Sequence, residues 1–303
     1  MSRLLPCLIL LLCTAAACAA PPPLIAHWTF DEDTGAVQDA SGNGYHASAD
    51  SSPGLTRVAG LFGNAMSFSG RHRLHVQGKP DFSKVKAIAL SAWVRPTKFE
   101  RYNEIFRKED GNHRVLFSFQ ENMSVLSLGL NVGGYVECDA RIAKEQVLDG
   151  TWHHCAATFD GKTMRVYLDG REVGALKRQG SIDAQGGADG CIGSTNGGEC
   201  FQGCMDDLRI YGGALSAQDI DALYKEGVKE LGRIATALGK KLDAFYVEKN
   251  SFAATLAATR KKLYEERLPI PAGLGAVVLQ KLRARFPKES GDFIQWTGMT
   301  PLQ

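Results

Sequence analysis

Between residues 21 and 211 the chain alternates apolar and polar positions in short runs broken by Gly, Asp and Asn. Residues 87–94 (AIALSAWV) form one such run, closed by Arg95-Pro96, and residues 115–119 and 125–130 form two more. Period-two alternation over such lengths predicts strands. Many short strands separated by turn residues, with almost no helical periodicity, predict an antiparallel β-sandwich. Residues 142–147 fit neither period cleanly. Beyond Ser216 the period changes. Ser216 and Asp219 have the spacing of a capping box, with Asp in place of Glu. Ile220, Leu223 and Tyr224 then share a helical face, and Leu231, Ile234, Leu238, Leu242 and Phe245 continue it. Phe252, Leu256, Thr259 and Leu263 predict a second helix, ended by Pro269 and Pro271. Leu274, Val278, Leu282 and Phe286 predict a third.

Residues 151–173 (TWHHCAATFDGKTMRVYLDGREV) pose the sharpest chemical question, because two adjacent histidines sit among a tryptophan, a cysteine and two aspartates. Alternation places Cys155, Ala157 and Phe159 on one face and His154, Ala156 and Thr158 on the other. Asp160-Gly161 signals a tight turn, and the return strand puts Met164, Val166 and Leu168 on the apolar face. His153 and His154 therefore point to opposite sides of the sheet. A shared metal ion would need histidines at alternate positions, so both are read as hydrogen-bonding sheet residues.

The 303 residues are 44% apolar, enough for a sizeable core. A formal net charge of +2 gives no sign of a nucleic-acid partner. The charge is unevenly placed: residues 225–303 carry 14 Lys and Arg against 8 Asp and Glu, and the remainder 21 against 25. The basic extension is read as a solvated helix face, with contact to a partner helix or an anionic surface as the sharper alternative.

The N-terminus has Arg3, an apolar stretch over residues 4–13 and the A-x-A pattern Ala17-Cys18-Ala19. Residues 1–19 are therefore expected to be an export signal, placing the protein outside the cell, in the periplasm or in the envelope. Lipidation at Cys18 is the alternative. Export implies an oxidising compartment. Cys138 and Cys155, on strands close in sequence, are expected to bridge, and a loop of that size would add about 3 kcal/mol. Cys191, Cys200 and Cys204 flank a Gly-rich loop, and one pair among them, such as Cys191 with Cys204, is expected. Five cysteines leave one thiol over, and the pairing stays open. A zinc site on Cys191, Cys200 and Cys204 lacks a second tight pair and a nearby histidine.

Six segments in order carry a family resemblance. They are residues 27–32 (HWTFDE), 39–44 (DASGNG), 63–68 (GNAMSF), 90–94 (LSAWV), the 152–170 hairpin, and 203–211 (GCMDDLRIY) followed by Ala214-Leu215-Ser216. Together they resemble the laminin G-like jellyroll domains of the concanavalin A-like superfamily over residues 24–226. The resemblance implies a mostly β jellyroll sandwich of two antiparallel sheets, with a C-terminal α-helical region over residues 227–303 outside it. It further implies an exported module that binds glycans or protein surfaces. Catalytic relatives share the fold, so the alternatives are a polysaccharide-active hydrolase or lyase, or a structural envelope protein.

The chemistry along the chain favours binding over catalysis. Glycoside hydrolysis needs two carboxylates flanking the scissile bond, and no E-x-D-x-E occurs. Glu137 and Asp139 share a face without a third acid, and Asp206 and Asp207 point apart. For a structural Ca²⁺ the acidic, Gly-rich loops nominate Asp31, Asp39, Asn43 and Asp206, since that ion accepts carboxylates and carbonyls alike. Asp206 is expected to share the core-facing side of Leu208 and Ile210. For a glycan, the outward positions His154, Arg165 and Tyr167 are the candidate ligand surface, with Tyr102 and Tyr135 as further aromatics. Trp28, Trp93 and Trp152 are read as core.

Overall fold

The computed structural model describes residues 20–237 and 240, apart from 50–54, 71, 79, 81, 83–84, 112, 184–186 and 196–197. The expected export signal, Cys18 and the second and third helices of the extension lie outside the described residues. The chain divides into two compact units, Met1–Arg233 and Ile234–Gln303, and the architecture below is that of the first.

Its strands, in chain order, begin with β1 (Leu24–Trp28), β2 (Ala47–Ala49), β3 (Thr56–Ala59), β4 (Asn64–Ser69) and β5 (Leu74–Val76). There follow β6 (Ile88–Pro96), β7 (Asn103–Asp110), β8 (His113–Gln120), β9 (Val125–Asn131) and β10 (Tyr135–Arg141). A four-residue helix, α1 (Lys144–Val147), occupies the stretch of ambiguous period. The last strands are β11 (His153–Phe159), β12 (Thr163–Leu168), β13 (Arg171–Lys177), β14 (Gly190–Ile192) and β15 (Gln202–Tyr211). Helix α2 covers residues 217–237.

They assemble into two antiparallel sheets. One has eight strands in the order β13-β12-β11-β6-β15-β4-β3, with β1 also on β15; the other has seven, β10-β9-β8-β7-β14-β5-β2. The first and last strands pair. The apolar faces pack together: Trp28, Phe106, Phe117, Phe119, Leu128, Cys155, Phe159, Val166 and Ile210 all belong to one buried cluster. Removing that much apolar surface from water is the main force holding the sheets together.

The 152–168 hairpin forms as expected. Cys155 pairs with Leu168 and Phe159 with Met164, while Asp160 Oδ1 accepts from the Lys162 and Thr163 amides at 2.9 and 2.7 Å. Asp169 and Gly170 turn the chain again at φ 50° and 75°, where a left-handed residue is needed.

Two β-bulges change which way side chains point. In β7 the register shifts between Glu104 and Phe106, so Glu104 leaves the face of Phe106 and joins that of Arg107. In β15 it shifts between Asp206 and Arg209, with Asp207 at φ 50°. Met205, Leu208 and Ile210 all reach the core, and Asp206 pairs opposite Trp93 on the outer face. The expectation that Asp206 shares the face of Leu208 and Ile210 is corrected, because the inserted residue reverses the alternation.

Helix α2 packs on the outside of the eight-stranded sheet. The capping box is real: Ser216 Oγ accepts from the Asp219 amide at 3.1 Å, and the Ser216 amide donates to Asp219 Oδ2 at 2.9 Å. Leu215 and Ile220 form a second buried cluster with Ala89, Ala156, Tyr167 and Tyr211. Trp93 is buried, as expected, but beneath α2 instead of between the sheets. Its ring stacks on Tyr224 at 6.1 Å.

Candidate functional site

The outer face of the eight-stranded sheet is where the sequence pattern placed a ligand surface. His154 is 0% exposed there and Tyr167 3%, both beneath α2. His154 Nε2 pairs with Ser91 Oγ at 2.8 Å, and its ring lies 5.2 Å from Trp93 and 6.4 Å from Tyr224. Arg165 does reach the surface but pairs with Asp160 at 2.8 Å. Of the expected trio, His154 and Tyr167 are therefore closed to a ligand, while Arg165 stays at the surface. A sheet face can look polar and still be buried when a later helix docks on it. His153 and His154 do separate. His153 sits between Asp149 and Asp169, each at 3.0 Å. Burial opposes its charge, but the two carboxylates outweigh burial and raise its pKa. Burial lowers that of His154 to about 4.

The four residues nominated for calcium divide into two pairs. Asp39 accepts backbone amides from His27, Ser41 and Tyr45 at 2.9–3.0 Å, and Asn43 Nδ2 donates to the Leu24 and Ile25 carbonyls at 3.0 and 2.9 Å. Both thereby pin one turn onto β1. Asp31 and Asp206 hold the loop at residues 60–64: Asp31 Oδ1 accepts from the Asn64 amide, and Asp206 Oδ2 from those of Leu61 and Phe62. Among the described residues no three His, Cys, Asp or Glu side chains converge on a metal position. Asp206 Oδ1 is buried without a hydrogen-bond partner, and burial, against the two amides, pushes this carboxyl up to about 7.

Cys138, Cys155, Cys191, Cys200 and Cys204 are all buried and none is in a disulfide. The expected Cys138–Cys155 bridge is not formed, nor is any bridge among the other three. Cys138 Sγ donates to the Met164 carbonyl at 3.6 Å instead. Burial pushes its thiol up to about 11 and raises that of Cys155 as well.

The outer face of the seven-stranded sheet carries the polar chemistry. Directly opposed residues run across it in one row: Ser48, His75, Cys191, Arg107, Leu116, Gly129 and Glu137. Cross-strand partners point to the same side, so these side chains form one surface. Tyr135, nominated above as an aromatic, lies on it. Its hydroxyl occupies the space a Cβ would fill at Gly129, donates to Glu137 Oε1, and its ring is covered by Arg114 at 4.6 Å. Tyr102 sits apart, with Arg101 over its ring at 5.1 Å.

A cleft of about 350 Å³ opens on this face, lined by His75, Arg107, Glu109, Asp189, Cys191 and Thr195 among others. Arg107 is its hub. Nη1 donates to Glu104 Oε1 at 2.9 Å and Glu199 Oε2 at 2.8 Å, and Nε donates to Glu109 Oε2 at 2.6 Å. Arg114 also pairs with Glu109. Glu104 is 1% exposed; burial outweighs the Arg107 charge and pushes its carboxyl up to about 8. Its buried Oε2 has no hydrogen-bond partner. The Arg107 charge is then balanced by Glu109 and Glu199. None of His75, Glu104, Arg107, Glu109, Asp189 and Glu199 was reached from the sequence. Alternation would have paired Arg107 with Glu109, two positions on. It gives the wrong face for Glu104, and nothing local connects Glu199.

Two packed antiparallel sheets in jellyroll order, with an open polar face on one of them, define the class. Residues 69–221 match the family described as the concanavalin A-like lectin/glucanases superfamily, and the chain belongs to it. Among solved structures it is similar to domain 4 of a GH43 extracellular arabinanase from Geobacillus stearothermophilus, solved in complex with arabinotriose. That match has 21% identity and a TM-score of 0.55, covering 67% of this chain and 99% of that one. It is also similar to the binding domain of Paraclostridial Mosquitocidal Protein 1, at 15% identity and TM-score 0.53 over 67% of this chain and 52% of that one. The binding domain of botulinum neurotoxin DC, solved in complex with SialylT, matches at 14% and 0.51 over 68% and 51%. At these identities the likenesses establish the fold.

Proposed function

We propose that the protein is an exported carbohydrate-binding module whose ligand lies in the Arg107 cleft on the outer face of the seven-stranded sheet. The observation that carries this reading is the hub itself. Glu109 and Glu199 are held rigidly by one guanidinium, so acceptors for sugar hydroxyls are in place before a ligand arrives, which lowers the ordering cost of binding. The similar arabinanase domain, solved with arabinotriose, supports a glycan as the ligand class. Isothermal titration against an oligosaccharide panel that includes arabinotriose tests it. Wild type should bind at least one member, and Glu109→Gln together with Asp189→Asn should weaken that binding about tenfold or more. No binding to any member would remove the proposal.

A polysaccharide-active hydrolase on the same fold is the second reading. Glu104 and Glu199 favour it, since two carboxyls within reach of one nitrogen, one of them with a raised pKa, resemble an acid and its partner. The burial of Glu104 counts against it, because a general acid must touch the glycosidic oxygen. Release of reducing sugar that Glu199→Gln abolishes would favour the enzyme. The extension's contact with a partner helix or an anionic surface is a separate proposal. Truncation after residue 240, which keeps the docked part of α2, tests it by whether glycan binding is retained.

A further inference from the structure

Resting on that binding reading, we propose that the cleft selects uncharged sugars and rejects acidic ones. Bidentate capture of a carboxylate or sulfate needs a guanidinium whose two parallel N–H groups are available. In Arg107 that edge is taken: Nε and Nη2 both donate to Glu109. Its remaining nitrogen, Nη1, donates to Glu104 and Glu199. Arg114 is committed to Glu109 and to the Gly111 carbonyl at 3.1 Å. Arg73 Nε donates to His75 Nε2 at 2.7 Å, which spends both groups on each other. Lys108 Nζ donates to the Ala188 carbonyl at 2.9 Å.

What the cleft offers an incoming ligand is therefore mostly acceptors. Asp189 is exposed, Glu109 and Glu199 are partly so, and Thr195 adds its hydroxyl. Sugar hydroxyls are donors that such oxygens receive well. The carboxylate of an acidic sugar would instead have to evict a protein carboxylate from Arg107. It would meet Asp189 and Glu199 while doing so, and like charges brought together in a partly dry cleft repel strongly.

The experiment titrates the intact chain with arabinotriose and with a panel of neutral trisaccharides, alongside galacturonic acid trimer and sialyllactose, at low and high salt. A neutral sugar should bind with an affinity that salt leaves unchanged, and every acidic sugar about tenfold or more weaker. Asp189→Asn combined with Glu199→Gln should narrow that gap, because it removes the repulsion. Acidic sugars binding as tightly as neutral ones, or a gap that the double variant leaves intact, would overturn the selectivity while the binding reading stands. Absence of binding to every sugar would remove both.

Discussion

Glu104 Oε1 and Arg107 Nη1 lie 2.9 Å apart although three positions separate them on one strand. An unbroken strand would hold them on opposite faces, and the bulge between Glu104 and Phe106 brings them together. The consequences are asymmetric. Arg107→Met removes the one cation shared by Glu104, Glu109 and Glu199, and should destabilise the fold by about 1–3 kcal/mol through the lost charge-assisted hydrogen bonds. Glu104→Gln keeps the acceptor for Nη1 and removes the proton uptake on folding, so it should be neutral to stabilising at pH 7. Urea unfolding of both variants measures the difference; equal losses would contradict the assignment.

Stability should fall as pH rises above about 5. With its carboxyl raised from 4.5 to about 8, Glu104 holds a proton in the folded state that the unfolded chain has released throughout that window. Folding there takes up a proton, so the penalty grows with pH and levels off above pH 8. Asp206, raised from 3.8 to about 7, acts in the same direction. His154 acts oppositely: lowered from 6.5 to about 4, it lags the unfolded chain in taking a proton, so stability is lost as pH falls through that window. Melting curves should show Glu104→Gln flattening the alkaline decline and His154→Gln the acid one.

The seat of helix α2 is tested by two glycines. A Cβ at Gly227 would stand 2.0 Å from Trp93 Cζ2, whereas one at Gly232 meets nothing within 4 Å. Gly232→Ala should stabilise by about 0.5–1 kcal/mol, since alanine is the better helix former. Gly227→Ala brings the same propensity gain and should still destabilise by about 1–3 kcal/mol, because the helix must lift from the indole. Thermal denaturation with tryptophan fluorescence reads both. A stabilising Gly227→Ala would mean that α2 does not rest on Trp93.

The five thiols should be silent in the native protein. All are buried, and the raised pKa values of Cys138 and Cys155 leave little thiolate at neutral pH. Ellman's reagent should report almost no reaction before unfolding, and all five of these thiols after denaturation without reductant. A shortfall of two after denaturation would reveal a bridge.

The strands, the hairpin turns, the capping box and the apolar faces were legible in the sequence because each depends on neighbours within a few positions. Phe159 and Val166 reach the core for the reason their spacing implies, and Ser216 caps α2 as its pattern requires. What alternation could not supply is where it is interrupted. One inserted residue in β7 and one in β15 redirected Glu104 and Asp206.

Burial of the predicted surface was equally out of reach. His154 and Tyr167 occupy outward positions on their strands, and only the docking of a helix more than fifty positions later takes them from water. The sequence by itself determined the two sheets and their apolar sides, since hydrophobic period is a local property. Only the tertiary structure decided which polar face stays open and which carboxylates meet at Arg107. Those outcomes depend on bulges and on packing between segments as distant as Arg107 and Glu199, whose attraction operates only once the chain has brought them together.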